Sequence, residues 1–232
     1  MIAENLEKLR AEIAERARKV GRDPSSVQLL AVSKTFDASR VSEAFQAGAV
    51  DFGENFAQEL RDKHARLAEL PIRWHFIGHL QTNKVRVIAP FVSLIHSVDS
   101  LRLGEEISRR AEQSDRTIDI LLEVHTTDEA TKFGVQPGDV VPLVGELRGY
   151  PGIRIVGLMT MGPFSGDPEA SRSSFRLTAE LFRQIALAKI PGVEMRHLSM
   201  GMSHDFTVAI EEGATIVRIG TAIFGKRTKH QE

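Results

Sequence analysis

Apolar residues follow two different periods along this chain, and the two periods alternate. Ile2, Leu6, Leu9, Ile13 and Ala17 recur at helical spacing, so the first twenty residues predict an amphipathic helix. Gly21 and the pair Asp23-Pro24 end it. The apolar run 27–32 has strand length, and a helical stretch 38–47 follows it up to Gly48. The same alternation then repeats. Strands are expected at 49–52, 72–77, 92–97, 117–124, 153–159, 195–200 and 215–219. Helices are expected at 56–70, 82–88, 101–113, 137–147, 167–188 and 205–211, with Asp99 as the expected cap of the helix beginning at 101. Strands that are apolar nearly throughout predict a parallel sheet covered on both faces. Eight strand-then-helix units in this length predict an α/β protein of the closed (β/α)8 barrel type, the TIM barrel, with one extra helix in front. A doubly wound open sheet is the alternative, but such sheets carry a glycine-rich first turn. The first turn here is Ser33-Lys34-Thr35. Without a visible linker, repeat or low-complexity stretch, residues 1–232 are expected to form one domain.

Composition narrows the function more than the fold. Of 232 residues, 30 are Lys or Arg and 31 Asp or Glu, a formal net charge of −1. That balance excludes a dedicated nucleic-acid or anionic-membrane binder, which needs a basic excess. The chain has no Cys, which excludes disulfide scaffolds, thiolate metal sites and cysteine nucleophiles, and fits a reducing cytoplasm. Glu4, Glu7, Glu12 and Glu15 keep the N-terminus charged, so no signal peptide is expected there, and no apolar run is long enough to span a bilayer.

In a barrel of this kind the chemistry sits at the C-terminal ends of the strands. Lys34 stands there, directly after the run Leu29-Leu30-Ala31-Val32. A lysine at a dry barrel mouth can lose its charge and attack an aldehyde. The alternative is a rim lysine with its ammonium in water. The last two strand ends suggest an anion cradle. Ser199-Met200-Gly201-Met202-Ser203 and Gly220-Thr221 offer hydroxyls and approachable main-chain N–H groups, and Arg218 offers a permanent cation. Ordinary turn chemistry for the glycines, and an ion pair for Arg218, are the competing readings. Other motifs fail. Gly220 to Lys226 imitates a phosphate loop, but Arg227 stands where Ser or Thr is required. His75 and His79 are read as a structural and a rim histidine rather than a metal pair, since Gly78 and the strand between them remove the helical face that such spacing needs.

Six segments carry a resemblance. They are Ala31-Val32-Ser33-Lys34-Thr35, Phe52-Gly53-Glu54-Asn55, the stretch from His75 to Lys84, Gly157-Leu158-Met159-Thr160-Met161, Leu198-Ser199-Met200-Gly201-Met202-Ser203, and the stretch from Val217 to Gly225. In that order they resemble the pyridoxal phosphate homeostasis protein family, whose fold is similar to the N-terminal barrel domain of alanine racemase. The likeness spans about 27–227, and six motifs in order are far more specific than any one of them.

The resemblance implies that Lys34 carries pyridoxal 5′-phosphate (PLP) as a covalent aldimine. It implies that Ser199, Gly201, Gly220 and Thr221 lie at the phosphate, and Arg218 near the phosphate or the ring nitrogen. Asn55 would line the ring pocket, with His79 and Met159 as further contacts. It implies a monomeric, cytoplasmic carrier or buffer of the cofactor, with PLP and apo PLP-dependent enzymes as partners and no established catalytic reaction. A small PLP-dependent amino-acid racemase is the alternative. Against it, the second acid/base group of alanine racemase is a tyrosine from an added domain and the partner subunit. This chain stops after its last predicted strand, and its one tyrosine, Tyr150, is expected in a turn before the sixth strand, away from the mouth. Phe56 departs from the family pattern, in which a tyrosine is common.

Overall fold

The computed structural model describes residues 1–127 and 133–225. Eight parallel strands close into a barrel in sequential order. They are β1 (Gln28–Val32), β2 (Asp51–Glu54), β3 (Arg73–Phe76), β4 (Leu94–Val98), β5 (Ile118–Val124), β6 (Ile153–Thr160), β7 (Val193–Ser199) and β8 (Ile216–Ile219). Closure is made by β1 against β8, with Gln28 opposite Ile216 and Ala31 opposite Ile219. The helices around them are α1 (Ile2–Lys19), α2 (Ala38–Gln46), α3 (Ala57–Arg66), α4 (Thr82–Ile88), α5 (Leu101–Gln113), α6 (Val140–Leu147), α7 (Arg172–Leu187), α8 (Phe206–Glu211) and α9 (Thr221–Phe224). No helix among the described residues is long and apolar enough to cross a membrane.

Side-chain alternation along each strand separates two cores. Outward-facing residues such as Ala31, Phe52, Ile120, Leu122, Val217 and Ile219 pack under the helices. Inward-facing Leu30, Leu94, Leu121, Val156, Met159 and Ile216 fill the barrel axis. Above and below that apolar layer the interior is polar, with His75, His96, Glu123, Ser199 and Arg218 all buried.

Several element ends depart from the sequence expectation: β4 begins two residues late and β7 two early, α3 stops at Arg66 rather than 70, and α7 begins at Arg172 rather than 167. Strand β2 begins two residues late, because Ala49 N–H still closes α2 on the Ala44 carbonyl and Gly48 turns the chain at φ 85°. Asp99 does not cap α5. Ser100 occupies that position and donates to the Asp99 carboxylate at 3.1 Å. The segment after β8, left unassigned by periodicity, forms the single turn α9. Tyr150 lies before the N-terminal end of β6 and donates to Glu105 at 2.5 Å, at the end of the barrel away from the mouth.

Candidate functional site

A cleft of about 350 Å³ opens at the C-terminal ends of the strands. Its walls are Val32, Phe36, Ile77, Met161 and Met202, and its polar groups are Lys34, Asn55, Ser203, His204, Arg218 and Thr221. That size falls in the roughly 300–1,000 Å³ range of small-molecule sites. Among the described residues no group of three His, Cys, Asp or Glu is placed to hold a metal ion.

Lys34 is half-buried on a tight turn where β1 ends. The turn is held from below. Ser33 N–H donates to the Gly53 carbonyl at 3.1 Å, and Phe36 N–H to the Ser33 carbonyl at 3.1 Å. Thr35 takes φ 68° and its N–H donates to Glu59 at 2.6 Å. Lys63, on α3, donates to the Ser33 carbonyl at 2.7 Å, to Glu54 at 2.6 Å and to Glu59 at 2.7 Å. Ser33 Oγ donates to the same Glu54 oxygen at 2.6 Å. Burial pushes the Glu54 carboxyl up to about 7 against the pull of Lys63. Sequence reasoning missed this support. The i,i+4 pair Glu59–Lys63 was visible as helix spacing, but nothing local says that it reaches beneath β1.

Arg218 faces inward from β8, one alternation above Ile216. Its guanidinium donates to Ser199 Oγ and to the Thr160 carbonyl, each at 2.9 Å. Burial pulls it down to about 10, with Asp205 and Glu123 opposing, so it stays charged at neutral pH. Its backbone N–H donates to the Gly201 carbonyl at 2.9 Å. Gly201 has φ 90° and no room for a Cβ, which would meet Ala209 and Phe206 of α8. Ser199 is fully buried behind Arg218 and also bonds His96 at 2.9 Å. Gly220 brings β8 close to the Val32 carbonyl, and Thr221 follows it on the rim. Asn55 Oδ1 is buried without a hydrogen-bond partner among the described residues. Such an atom costs about 1–3 kcal/mol unless a bound group satisfies it.

Four expected site residues stand outside the cleft wall: Ser199 and Gly201, buried behind it, and Met159 and His79. Met159 lies in the barrel axis with Leu30 and Leu121, one inward position deeper on β6 than Met161, which lines the cleft just past the strand end. His79 sits in the adjoining groove, stacked on Phe133 at 3.6 Å and 3.7 Å from Asp99. Lys226 and Arg227 of the phosphate-loop imitation lie outside the described residues. Glu123, at the top of β5, was not anticipated. Burial, with Asp99 adding and Arg218 opposing, raises it to about 7. A lone glutamate in an apolar strand carries no sequence signal that distinguishes it.

Residues 5–228 match the family model described as alanine racemase, N-terminal domain. A pyridoxal phosphate homeostasis protein from Pseudomonas aeruginosa is 43% identical over 97% of this chain and 96% of its own length. The chain belongs to the pyridoxal phosphate homeostasis protein family. It is also similar to a solved structure of PipY from Synechococcus elongatus with PLP bound, at 36% identity and a TM-score of 0.82, covering 97% of this chain and 100% of that one. An alanine racemase from Streptomyces lavendulae shares the fold alone, at 22% identity and a TM-score of 0.71, over 96% of this chain and 58% of that one.

Proposed function

We propose that this chain binds PLP in the cleft at the barrel mouth and acts in cytoplasmic PLP homeostasis as a carrier or buffer, with 1–232 working as one cofactor-binding unit. One observation carries the reading: a half-buried amine, a buried permanent cation and an Asn55 oxygen without a partner among the described residues converge on a single cleft with apolar walls. That donor set fits a planar aromatic aldehyde with an anionic tail. Its identity as PLP rests on the family's name and on the PLP-bound PipY.

In this reading Lys34 Nζ condenses with the cofactor aldehyde, losing water to form the covalent Schiff base. The Lys63–Glu54–Glu59 set fixes the turn that presents the amine. Thr221 and the main chain at Gly201 and Gly220 receive the phosphate. Asn55, Ile77 and Met161 bound the ring, with Met159 below and His79 beside them. Ser199 acts from behind, by holding Arg218. Bound PLP supplies an electron sink, and a permanent cation beside its ring nitrogen disfavours protonation there and weakens that sink. That argues for holding the cofactor, as a monomer that hands it to apo PLP-dependent enzymes, over turning amino acids. A small PLP-dependent racemase is the second reading. Glu123, buried near the end of β5 in a small crevice that it shares with Met161 and raised to about 7, is the group that favours it.

Borohydride reduction followed by peptide mapping tests the first reading. The expected result is a pyridoxyl label on the peptide containing Lys34. A label elsewhere, or none on protein saturated with PLP, refutes it. Steady-state turnover of an amino acid on the order of 1 per second or faster would decide for the racemase.

A further inference from the structure

A hydrogen-bonded chain runs through the barrel interior beneath the cleft. It starts at Arg218, passes to Ser199 Oγ at 2.9 Å and from there to His96 Nδ1 at 2.9 Å. His96 Nε2 meets His75 Nδ1 at 3.0 Å, and His75 Nε2 lies 3.3 Å from Asp51 Oδ1. Asp51 accepts two bonds of 2.6 Å from Arg73, which lies on the surface at the opposite end of the barrel. From Arg218 to Asp51 the path takes one residue from each of five strands, β8, β7, β4, β3 and β2, and Arg73 adds a second from β3. Asp51, His75, His96, Ser199 and Arg218 are all buried.

The ends dictate the direction of every link. A guanidinium has donors only, so Ser199 Oγ accepts from Arg218. Asp51 is ionised, because the bonds from Arg73 and His75 outweigh the upward push of burial, and an ionised carboxylate only accepts. His75 Nε2 therefore carries a hydrogen toward Asp51, and His75 Nδ1 accepts from His96 Nε2–H. His96 Nδ1 is then an acceptor and takes the Ser199 hydroxyl hydrogen. With one hydrogen on each ring, every polar atom along the path is satisfied. Reversing His96 alone would set two lone pairs face to face at 3.0 Å. A second hydrogen on His75 would drive two donors onto Ser199 Oγ and strand its own hydroxyl hydrogen, a buried loss of about 1–3 kcal/mol.

We propose that His96 and His75 are positioning residues for Arg218: the one-way chain fixes the guanidinium at the cofactor cleft and anchors it to the Asp51–Arg73 pair at the far end of the barrel. The proposal rests on the PLP reading above. Ser199 is one of two braces on the guanidinium, the Thr160 carbonyl being the other, and only the Ser199 side is held by the chain. A hydroxyl that donates to an imidazole nitrogen becomes a better acceptor, because bonds in series polarise one another. Neither imidazole lines the cleft, and the hydrogen bonds that link them to it run through Ser199 and Arg218.

The test uses the full chain. Nitrogen-15 spectroscopy of the unloaded wild-type protein reads the ring tautomers directly, and both His75 and His96 are expected as the Nε2–H form. A His96 signal with its hydrogen on Nδ1 overturns the chain whatever the cofactor does. PLP titrations of two variants then read the consequence. His96→Leu removes both links and should weaken PLP retention about tenfold or more. His96→Gln restores a carbonyl acceptor and an N–H donor, and should recover most of that loss. Equal affinities for both variants, whether retained or lost, overturn the positioning role. Should His96→Leu fail to fold, the tautomers and the gap between His96→Gln and wild type, expected within about threefold, still decide it. A wild-type protein that takes up no PLP refutes the cofactor reading instead, and the tautomers of the unloaded protein separate that failure from failure of the chain.

Discussion

Arg218 and Glu123 lie in the same polar layer above the barrel axis, and burial works on both. It lowers the arginine to about 10 without discharging it, and it raises the glutamate to about 7. Arg218→Gln keeps a donor near Ser199 but removes the charge. It should weaken PLP binding by about tenfold or more, the value of a charge-assisted bond, while borohydride still traps cofactor on Lys34. Unchanged affinity in a PLP titration would mean that the charge does not serve the ligand. Glu123 makes a different prediction, on stability. Its folded-state value lies above its ordinary 4.5, so the native state holds the proton more tightly than the unfolded chain. The contribution is complete below pH 4.5 and is lost as pH rises through about 7. The rise from 4.5 to about 7 corresponds to about 3 kcal/mol. Glu123→Gln should therefore gain on wild type between pH 4.5 and 8, by up to that amount, in denaturant melts. Parallel curves across that window would show that the carboxyl is better solvated than its burial implies.

At the scale of elements, the parts legible in the sequence were those whose signal is local. Every strand expected from an apolar run exists, since an inward and an outward core leave few polar positions along it. Lys34, Asn55, Gly220 and Thr221 were legible at the ends of such runs and Arg218 as a charge inside the last of them, and all five line the cleft. What stayed hidden depends on pairing between distant segments. The Lys63–Glu54–Ser33 support needs α3 beside β1, and the His75–His96 contact needs β3 beside β4. Met159 and Met161 share the inward face of β6, and depth along the strand decides which of the two reaches the mouth. Gly78 shows the same dependence on neighbours. A Cβ there would run into the Asn55 carbonyl oxygen, so this glycine lets the loop after β3 press on the loop after β2. Gly78→Ala should cost about 1–3 kcal/mol of stability, as overpacking does, and should also loosen the cofactor by displacing Asn55. Thermal melts and PLP titration of one variant check both effects. A stability loss with affinity intact would separate Asn55 from the binding surface.

Across the whole molecule, α1 ties the outer shell to the mouth. Ile2, Leu6, Leu9, Ile13 and Ala17 are buried on one face of it, as their spacing predicts. That face packs against α8, α9 and α2. Asn5 donates from α1 to the Ile223 carbonyl at 2.9 Å, and Arg40 donates from α2 to the Phe224 carbonyl at 3.0 Å. Both bonds end on α9, the turn that begins with Thr221 at the cleft rim. The helix in front of the barrel is thus part of the scaffold that sets the rim after β8. Leu6 is fully buried, so Leu6→Ala should cost about 2–5 kcal/mol through lost transfer and a residual cavity. At roughly 2–4 °C per kcal/mol for a chain of this size, the midpoint should fall by about 4–20 °C. Asn5→Ala removes one bond and should cost only about 1 kcal/mol, but its effect falls on α9. If α1 braces the rim, Asn5→Ala should weaken PLP binding more than its small stability loss would suggest. Surface change on the solvent side of the same helix, such as Glu12→Gln, should leave binding alone. Should Leu6→Ala melt with wild type, α1 is an appendage, and the rim after β8 is held by the barrel without it.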